Sequence, residues 1–168
     1  FLYLHSICFI YILMHAFDTN IKQLGINIPD MPEPLANYVP YKVSDKVIYV
    51  SGQGPVSEGN LIYKGKVGED ISVDDGIKAA ELCCINIIAA LKQSINSDWN
   101  RLDTFLKLGG FVNCNKDFYD QPKIINGASE LFVKIFEEKG KHARFAVGAS
   151  ALPKDVPVEI EGIFEIDN

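Results

Sequence analysis

The chain has 168 residues, 48% of them apolar and 23% charged, which suits one ordinary domain and excludes both intrinsic disorder and a pair of typical domains. Sixteen Lys and Arg against 22 Asp and Glu leave a formal charge of −6. Phosphate binding needs clustered cations, so the charge argues against a protein built to hold nucleic acid by charge alone and leaves a local basic patch open.

The averages hide a split. Residues 1–17, FLYLHSICFIYILMHAF, hold no Asp, Glu, Lys or Arg, and 14 of the 17 are apolar. The other 151 residues are about 44% apolar and carry all 38 charges, ordinary values for a water-soluble domain. The run reaches the lower length of a membrane span, but no Lys or Arg precedes it and no small-x-small cleavage site follows it. It reads as a targeting segment, a membrane anchor, a partner-binding helix or an appendage upstream of the true start. The expected division is an apolar leader over residues 1–20 and one domain over residues 21–168. A cytoplasmic location is expected, with an organelle as the alternative if the leader is a targeting segment, and membrane contact only if it is an anchor.

Pro29, Pro32 and Pro34 argue against a continuous helix over residues 18–37 and for an extended entry into the domain. Tyr38–Val43 and Lys46–Val50, rich in β-branched and aromatic residues, flank Ser44-Asp45 and predict a hairpin ended by Ser51-Gly52-Gln53-Gly54-Pro55. A third short strand is expected at Leu61–Tyr63. Val73, Ile77, Ala80, Cys84, Ile88, Leu91 and Ile95 repeat at helical spacing and predict an amphipathic helix over residues 73–95. Ser72 is its expected N-cap, and Asp74 and Asp75 suit the positive end of its dipole.

A strand is expected at Thr104–Val112, then a second helix from about Pro122 to about Glu138, with Ile124, Ala128, Leu131 and Ile135 on one face and Gly140 beyond its end. Arg144–Ala151 and Val156–Ile166 complete the set as strands. In the latter, Val158, Ile160, Gly162, Phe164 and Ile166 alternate with Glu159, Glu161, Ile163 and Glu165. Three strands, a helix, a strand, a helix and two strands predict an α+β domain, with both helices packed on one face of a six-stranded sheet. The other face, carrying Glu159 and Glu161 among apolar residues, is expected to meet another subunit or a ligand cleft.

No Gly-rich phosphate loop, nucleophile elbow, H-E-x-x-H or acidic metal loop occurs in the sequence. Cys8, Cys83, Cys84 and Cys114 form no C-x-x-C and do not cluster with His5, His15 and His142 at zinc-ligand spacing. Reduced, buried thiols and no metal are therefore expected. Only two arginines, Arg101 and Arg144, stand beside 14 lysines. An Arg opening a core strand suggests a need for its planar fork. Bidentate carboxylate recognition is one answer; a structural ion pair with Glu159 or Glu161 is the other.

The C-terminal stretch HARFAVGASALPKDVPVEIEGIFEI resembles the signature of the reactive-intermediate (imine) deaminase family, also called YjgF-like proteins or L-PSP endoribonucleases. The shared pattern is an Arg (Arg144), a small-residue strand, a Leu152-Pro153 turn and the strand Val158-Glu159-Ile160. Tyr38, 13 residues before Ser51, and the segment S-G-Q-x-P-V beginning at Ser51 are similar to the family as well, and the likeness extends over about residues 21–166. The resemblance implies a chorismate-mutase-like α+β fold with a mixed sheet, assembled as a homotrimer with clefts between subunits. It implies that Arg144 grips the carboxylate of a small substrate and that Glu159 positions and activates water. Tyr38, Ser51 and the Gly52 backbone would line the cleft from the neighbouring subunit, and Asn126 and the Ala146 backbone would complete it.

The implied reaction is hydrolysis of 2-imino or enamine acids to 2-keto acids and ammonia, with neither metal nor organic cofactor. The family's older names imply instead a ribonuclease or translation inhibitor. A third expectation is a non-catalytic trimer that binds small carboxylates. Two positions depart from the family pattern: His142 stands where Pro or Ala is usual, and Ala146 where several members have Cys.

Overall fold

The computed structural model describes residues 16–31 and 37–167. Its central element is a five-stranded mixed sheet in the order β1-β2-β7-β5-β6, beside a two-stranded ribbon of β3 and β4. The strands are β1 (Tyr41–Ser44), β2 (Val47–Gln53), β3 (Val56–Ser57), β4 (Asn60–Leu61), β5 (Leu102–Asn113), β6 (Ala143–Ala149) and β7 (Val158–Ile166). β1, β2, β7 and β5 pair antiparallel in turn, while β6 runs parallel to β5. The expectation of six strands in one sheet is corrected here. The residues around Leu61 fold back on Val56 and Ser57 as a ribbon that does not join the main ladder.

Two long helices cover one face of the sheet. In α2 (Val73–Ser94) the Ser72 Oγ accepts a hydrogen bond from the Asp75 amide at 3.1 Å, so the expected cap forms. The apolar face of α2 buries Ala80, Cys84, Ile87, Ile88 and Leu91 completely. In α3 (Gln121–Phe136), Pro122 lies in the first turn, and Ile124, Ala128, Phe132 and Ile135 are fully buried. The two helices pack tightly where a Cβ added at Gly127 would stand 2.6 Å from the Ile77 carbonyl oxygen. α3 supplies the crossover that lets β5 and β6 lie parallel.

A further helix, α1, runs through residues 16–23 within the described part of the chain. It replaces the extended reading with helix over residues 18–23, and it runs across the expected leader boundary at residue 20. Phe17 is 5% exposed and stands edge-on to Phe136 at 5.1 Å between ring centroids. The Trp99 indole N–H donates to Asp18 at 3.0 Å, and the Asn20 amide donates to the Ile135 carbonyl at 2.9 Å. Residues 16–20 therefore belong to the domain, because their apolar and polar groups both find partners in it. Residues 1–15, with Cys8 and most of the expected leader, lie outside the described residues, as do Pro32 and Pro34. No helix among the described residues is long and apolar enough to cross a membrane.

β7 shows why one sheet face is core and the other is not. Its residues alternate strictly between buried and partly exposed, and Val158, Ile160, Phe164 and Ile166 point toward the helices. Phe105, Leu108 and Val112 of β5 stand opposite Phe164, Gly162 and Val158 on that same face. Glu159, Glu161, Ile163 and Glu165 face the other way, joined by Tyr49, Phe111 and Val147. Cys83, Cys84 and Cys114 are free and buried, and burial pushes the Cys83 and Cys84 thiols well above the ordinary range.

Candidate functional site

The sequence-expected residues fall into two groups on opposite faces of the sheet. The first surrounds Arg144 on the edge strand β6. The β6 register places Arg144 beside Leu108, and Ala146 beside Gly110, so both residues look toward the helix side. There the Arg144 Nη1 donates to Asn126 Oδ1 at 2.8 Å and to Ser129 Oγ at 3.1 Å. Asn126 and Ser129 are three residues apart on α3, a spacing that sets both on the same helix face. Asn126, one of the expected site residues, accepts from the guanidinium. Among the described residues Arg144 forms no ion pair; the two ion pairs present are Lys78 with Asp75 and Lys141 with Glu138. The alternative of a structural bridge from Arg144 to Glu159 or Glu161 is thereby overturned.

Beside the guanidinium lies a hollow of about 270 Å³ lined by Ser129, Val133, Lys141, His142 and Arg144. Ser129 Oγ and His142 Nε2 are 3.0 Å apart, and His142 Nδ1 is 2.7 Å from the Gly140 carbonyl oxygen. The His142 ring packs at 4.4 Å from Phe105 and 6.0 Å from Phe132 between centroids. Burial lowers the His142 pKa, opposed by the hydrogen bond to Gly140 and reinforced by the Arg144 charge, which favours the neutral ring. Ser129 was not singled out in the sequence. The available signal was its three-residue offset from Asn126.

The second group is built on a β-bulge. Val50 pairs with Gly162 and Gln53 with Ile160, so Ser51 and Gly52 together oppose the single Glu161. The Glu159 carboxylate lies across Gly52, and a Cβ added there would collide with its Oε1. Glycine at this position is what lets the carboxylate rest against the bulge. Ser51 donates through its Oγ to the Val39 carbonyl at 2.8 Å and through its amide to the Pro40 carbonyl at 2.9 Å. These bonds bring the segment bearing Tyr38, a 63% exposed ring, beside the bulge. Partial burial raises the Glu159 pKa above the usual carboxylate value, and the neighbouring Glu161 charge adds to the rise.

One chain therefore assembles Arg144 with Asn126 and Ala146, and Glu159 with Gly52, Ser51 and the Tyr38 segment. It does not bring the two groups together. β5 separates β6 from β7, and Arg144 and Glu159 leave the sheet on opposite faces.

Comparison with known proteins agrees with this architecture. The sequence profile of the family described as "YjgF/chorismate_mutase-like, putative endoribonuclease" matches residues 18–159. The chain belongs to the YjgF/chorismate-mutase-like family. It is 35% identical over 150 residues to Protein TCP17 of Trypanosoma cruzi, covering 89% of this chain and 93% of the relative. Among solved structures, the protein Atu1372 of Agrobacterium tumefaciens is 39% identical with a TM-score of 0.88, over 96% of this chain and 99% of that one. A Shewanella oneidensis protein called a "putative endoribonuclease" is 30% identical with a TM-score of 0.85, over 89% and 99% of the two chains. The expected YjgF-like α+β fold with a mixed sheet is thus confirmed.

Proposed function

We propose that the chain hydrolyses small 2-imino or enamine acids to 2-keto acids and ammonia, as a homotrimer whose clefts join the two half-sites of neighbouring subunits. The observation that carries this reading is Arg144: a permanently charged planar fork, held by neutral acceptors at the mouth of a hollow and bearing no internal counter-charge among the described residues. Such a group is suited to a carboxylate supplied from outside.

The trimer explains the separation of the half-sites and the open sheet face. Tyr49, Phe111 and Val147 leave apolar surface there, with Phe145 edge-on to Phe111 at 5.3 Å and the Lys107 ammonium 5.4 Å from the Phe145 ring. A second subunit covering that face would remove it from water. The same packing would carry Glu159, Gly52, Ser51 and Tyr38 of one copy toward Arg144, Asn126 and Ala146 of the next.

With the substrate carboxylate on Arg144, the C=N carbon is held for attack by water. Glu159 takes a proton from the water as its oxygen bonds to the carbon of the protonated imine, which gives a neutral carbinolamine. Glu159 returns that proton to the amino nitrogen, the C–N bond breaks to release ammonia, and the hydroxyl proton passes to Glu159 and on to solvent as the C=O forms. A raised pKa makes Glu159 a stronger base than an ordinary carboxylate. Neither a metal nor an organic cofactor has a step to perform, because the protonated imine is already electrophilic.

The test generates 2-iminopropionate or 2-iminobutyrate in situ with an amino-acid oxidase and follows its decay. Two charge-assisted hydrogen bonds of roughly 1.5–3 kcal/mol each imply that Arg144→Ala lowers kcat/KM by about 100-fold or more. A wild-type rate no greater than that of Arg144→Ala overturns the proposal. The family description and the name of the Shewanella protein favour a second reading, RNA cleavage. Cleavage by highly purified protein that is lost in Arg144→Ala would select it. Carboxylate binding without turnover of imines or RNA would select a non-catalytic trimer.

A further inference from the structure

We infer that Ser129 and His142 are positioning residues for Arg144, forming a hydrogen-bonded chain that anchors one end of the guanidinium and leaves its Nε–Nη2 edge as the carboxylate-binding edge. The inference rests on the carboxylate-binding role proposed for Arg144, and it extends that role to two residues and to one specific side of the fork.

The direction of each hydrogen bond follows from chemistry. The Gly140 carbonyl oxygen can only accept, so at 2.7 Å the His142 Nδ1 must carry the hydrogen. In a neutral ring Nε2 is then a bare acceptor. Ser129 Oγ, 3.0 Å away, donates its hydroxyl hydrogen to it. With that hydrogen committed, the lone pairs of Ser129 Oγ face Arg144, and Nη1 donates to them at 3.1 Å. The chain thus runs from Arg144 to Ser129 to His142 to the Gly140 carbonyl, every donor matched to an acceptor. Packing of the imidazole on Phe105 and Phe132 fixes the ring plane from which this order starts.

A guanidinium nitrogen Nη1 has two hydrogens. Asn126 Oδ1 at 2.8 Å takes one and Ser129 Oγ takes the other, which leaves none for a ligand. An end-on bidentate grip through Nη1 and Nη2 is therefore closed. The side-on grip through Nε–H and Nη2–H stays open, since among the described residues neither nitrogen makes a hydrogen bond. Ser129 and His142 contribute by keeping the fork rotated so that this edge is presented.

The test uses the full chain and pyruvate as probe. In Ser129→Ala and in His142→Phe, the latter keeping a ring against Phe105 and Phe132, pyruvate binding by calorimetry should weaken about tenfold. KM for 2-iminopropionate should rise by a similar factor with kcat changed less than twofold. Ser129→Thr, which retains the hydroxyl, should stay within twofold of wild type. Nitrogen-15 NMR of the histidines should show His142 as the neutral Nδ1–H tautomer that the proposed chain requires, while the split between KM and kcat separates positioning from a merely structural role. Unchanged pyruvate affinity in both Ser129→Ala and His142→Phe, or an Nε2–H tautomer in the wild type, overturns the inference. If pyruvate binding depends on Ser129 while no imine is hydrolysed, the deaminase reading falls and the positioning chain stands. If imines are hydrolysed with kcat and KM unaltered in both variants, the reverse holds.

Discussion

His142 shows how one residue in the hollow beside Arg144 can couple stability to pH. Its folded pKa lies below the unfolded value of about 6.5, first because burial disfavours the charged ring and then because Arg144 is close. Above pH 6.5 both states hold a neutral ring and the stabilisation is complete. As the pH falls below 6.5, the unfolded chain takes up a proton that the folded chain refuses. Stability therefore declines until the pH has passed through the lowered folded pKa, and this contribution is then lost. Urea midpoints at pH 7.5 and pH 5 should separate further in the wild type than in His142→Phe. Parallel shifts in the two proteins would place the acid sensitivity elsewhere.

Arg144 stood out in the sequence as an arginine among many lysines near the start of an expected core strand, and the family resemblance gave it a carboxylate to bind; the strand, β6, is an edge strand. Its partners were less evident. Asn126, Ser129 and His142 lie on a helix and in a turn whose approach to β6 depends on how α3 crosses the sheet. Alternation along β7 set Glu159, Glu161 and Glu165 on one face alike; the family resemblance singled out Glu159, and its rest against Gly52 required the bulge in β2.

Among the elements, those with a strong local period were the readable ones. α2 and β7 fall within a residue or two of their expected limits, since a 3.6-residue repeat and a strict alternation each leave an unambiguous pattern. α1 escaped detection for the opposite reason: its first residues sit inside a uniformly apolar run, where no periodicity distinguishes a docked helix from a leader. β3 was not expected, and the strand expected at Leu61–Tyr63 is β4 at Asn60–Leu61, paired outside the main sheet, because two-residue strands carry no period at all. The place of α1 in the fold can be measured. Phe17→Ala removes a ring that is 5% exposed and packed on Phe136, and about 3 kcal/mol of stability should be lost in urea unfolding. A loss below about 0.5 kcal/mol would return residues 16–20 to the status of an appendage.

For the whole molecule, the decisive feature is that the two half-sites leave the sheet in opposite directions. If neighbouring subunits complete each other's clefts, Arg144→Ala and Glu159→Gln chains, each nearly inactive, should complement when unfolded and refolded together. A one-to-one mixture in a closed ring of three should recover about one quarter of the wild-type imine hydrolysis, because each cleft needs one intact half from each neighbour. No recovery, from mixtures shown by light scattering to contain both chains in one trimer, would mean that each site lies within a single chain.

The amino-acid order was sufficient for the α+β class, the two long helices, the alternating last strand and the family, since each rests on local periodicity or on a short run of residues. Folding settled the rest: the five-strand order, the inclusion of residues 16–20, the neutral acceptors on Arg144 and the side of the sheet on which each candidate residue emerges. Those features arise where segments far apart in sequence meet, and strand order, helix crossing and a bulge decide such meetings through packing that no single segment encodes.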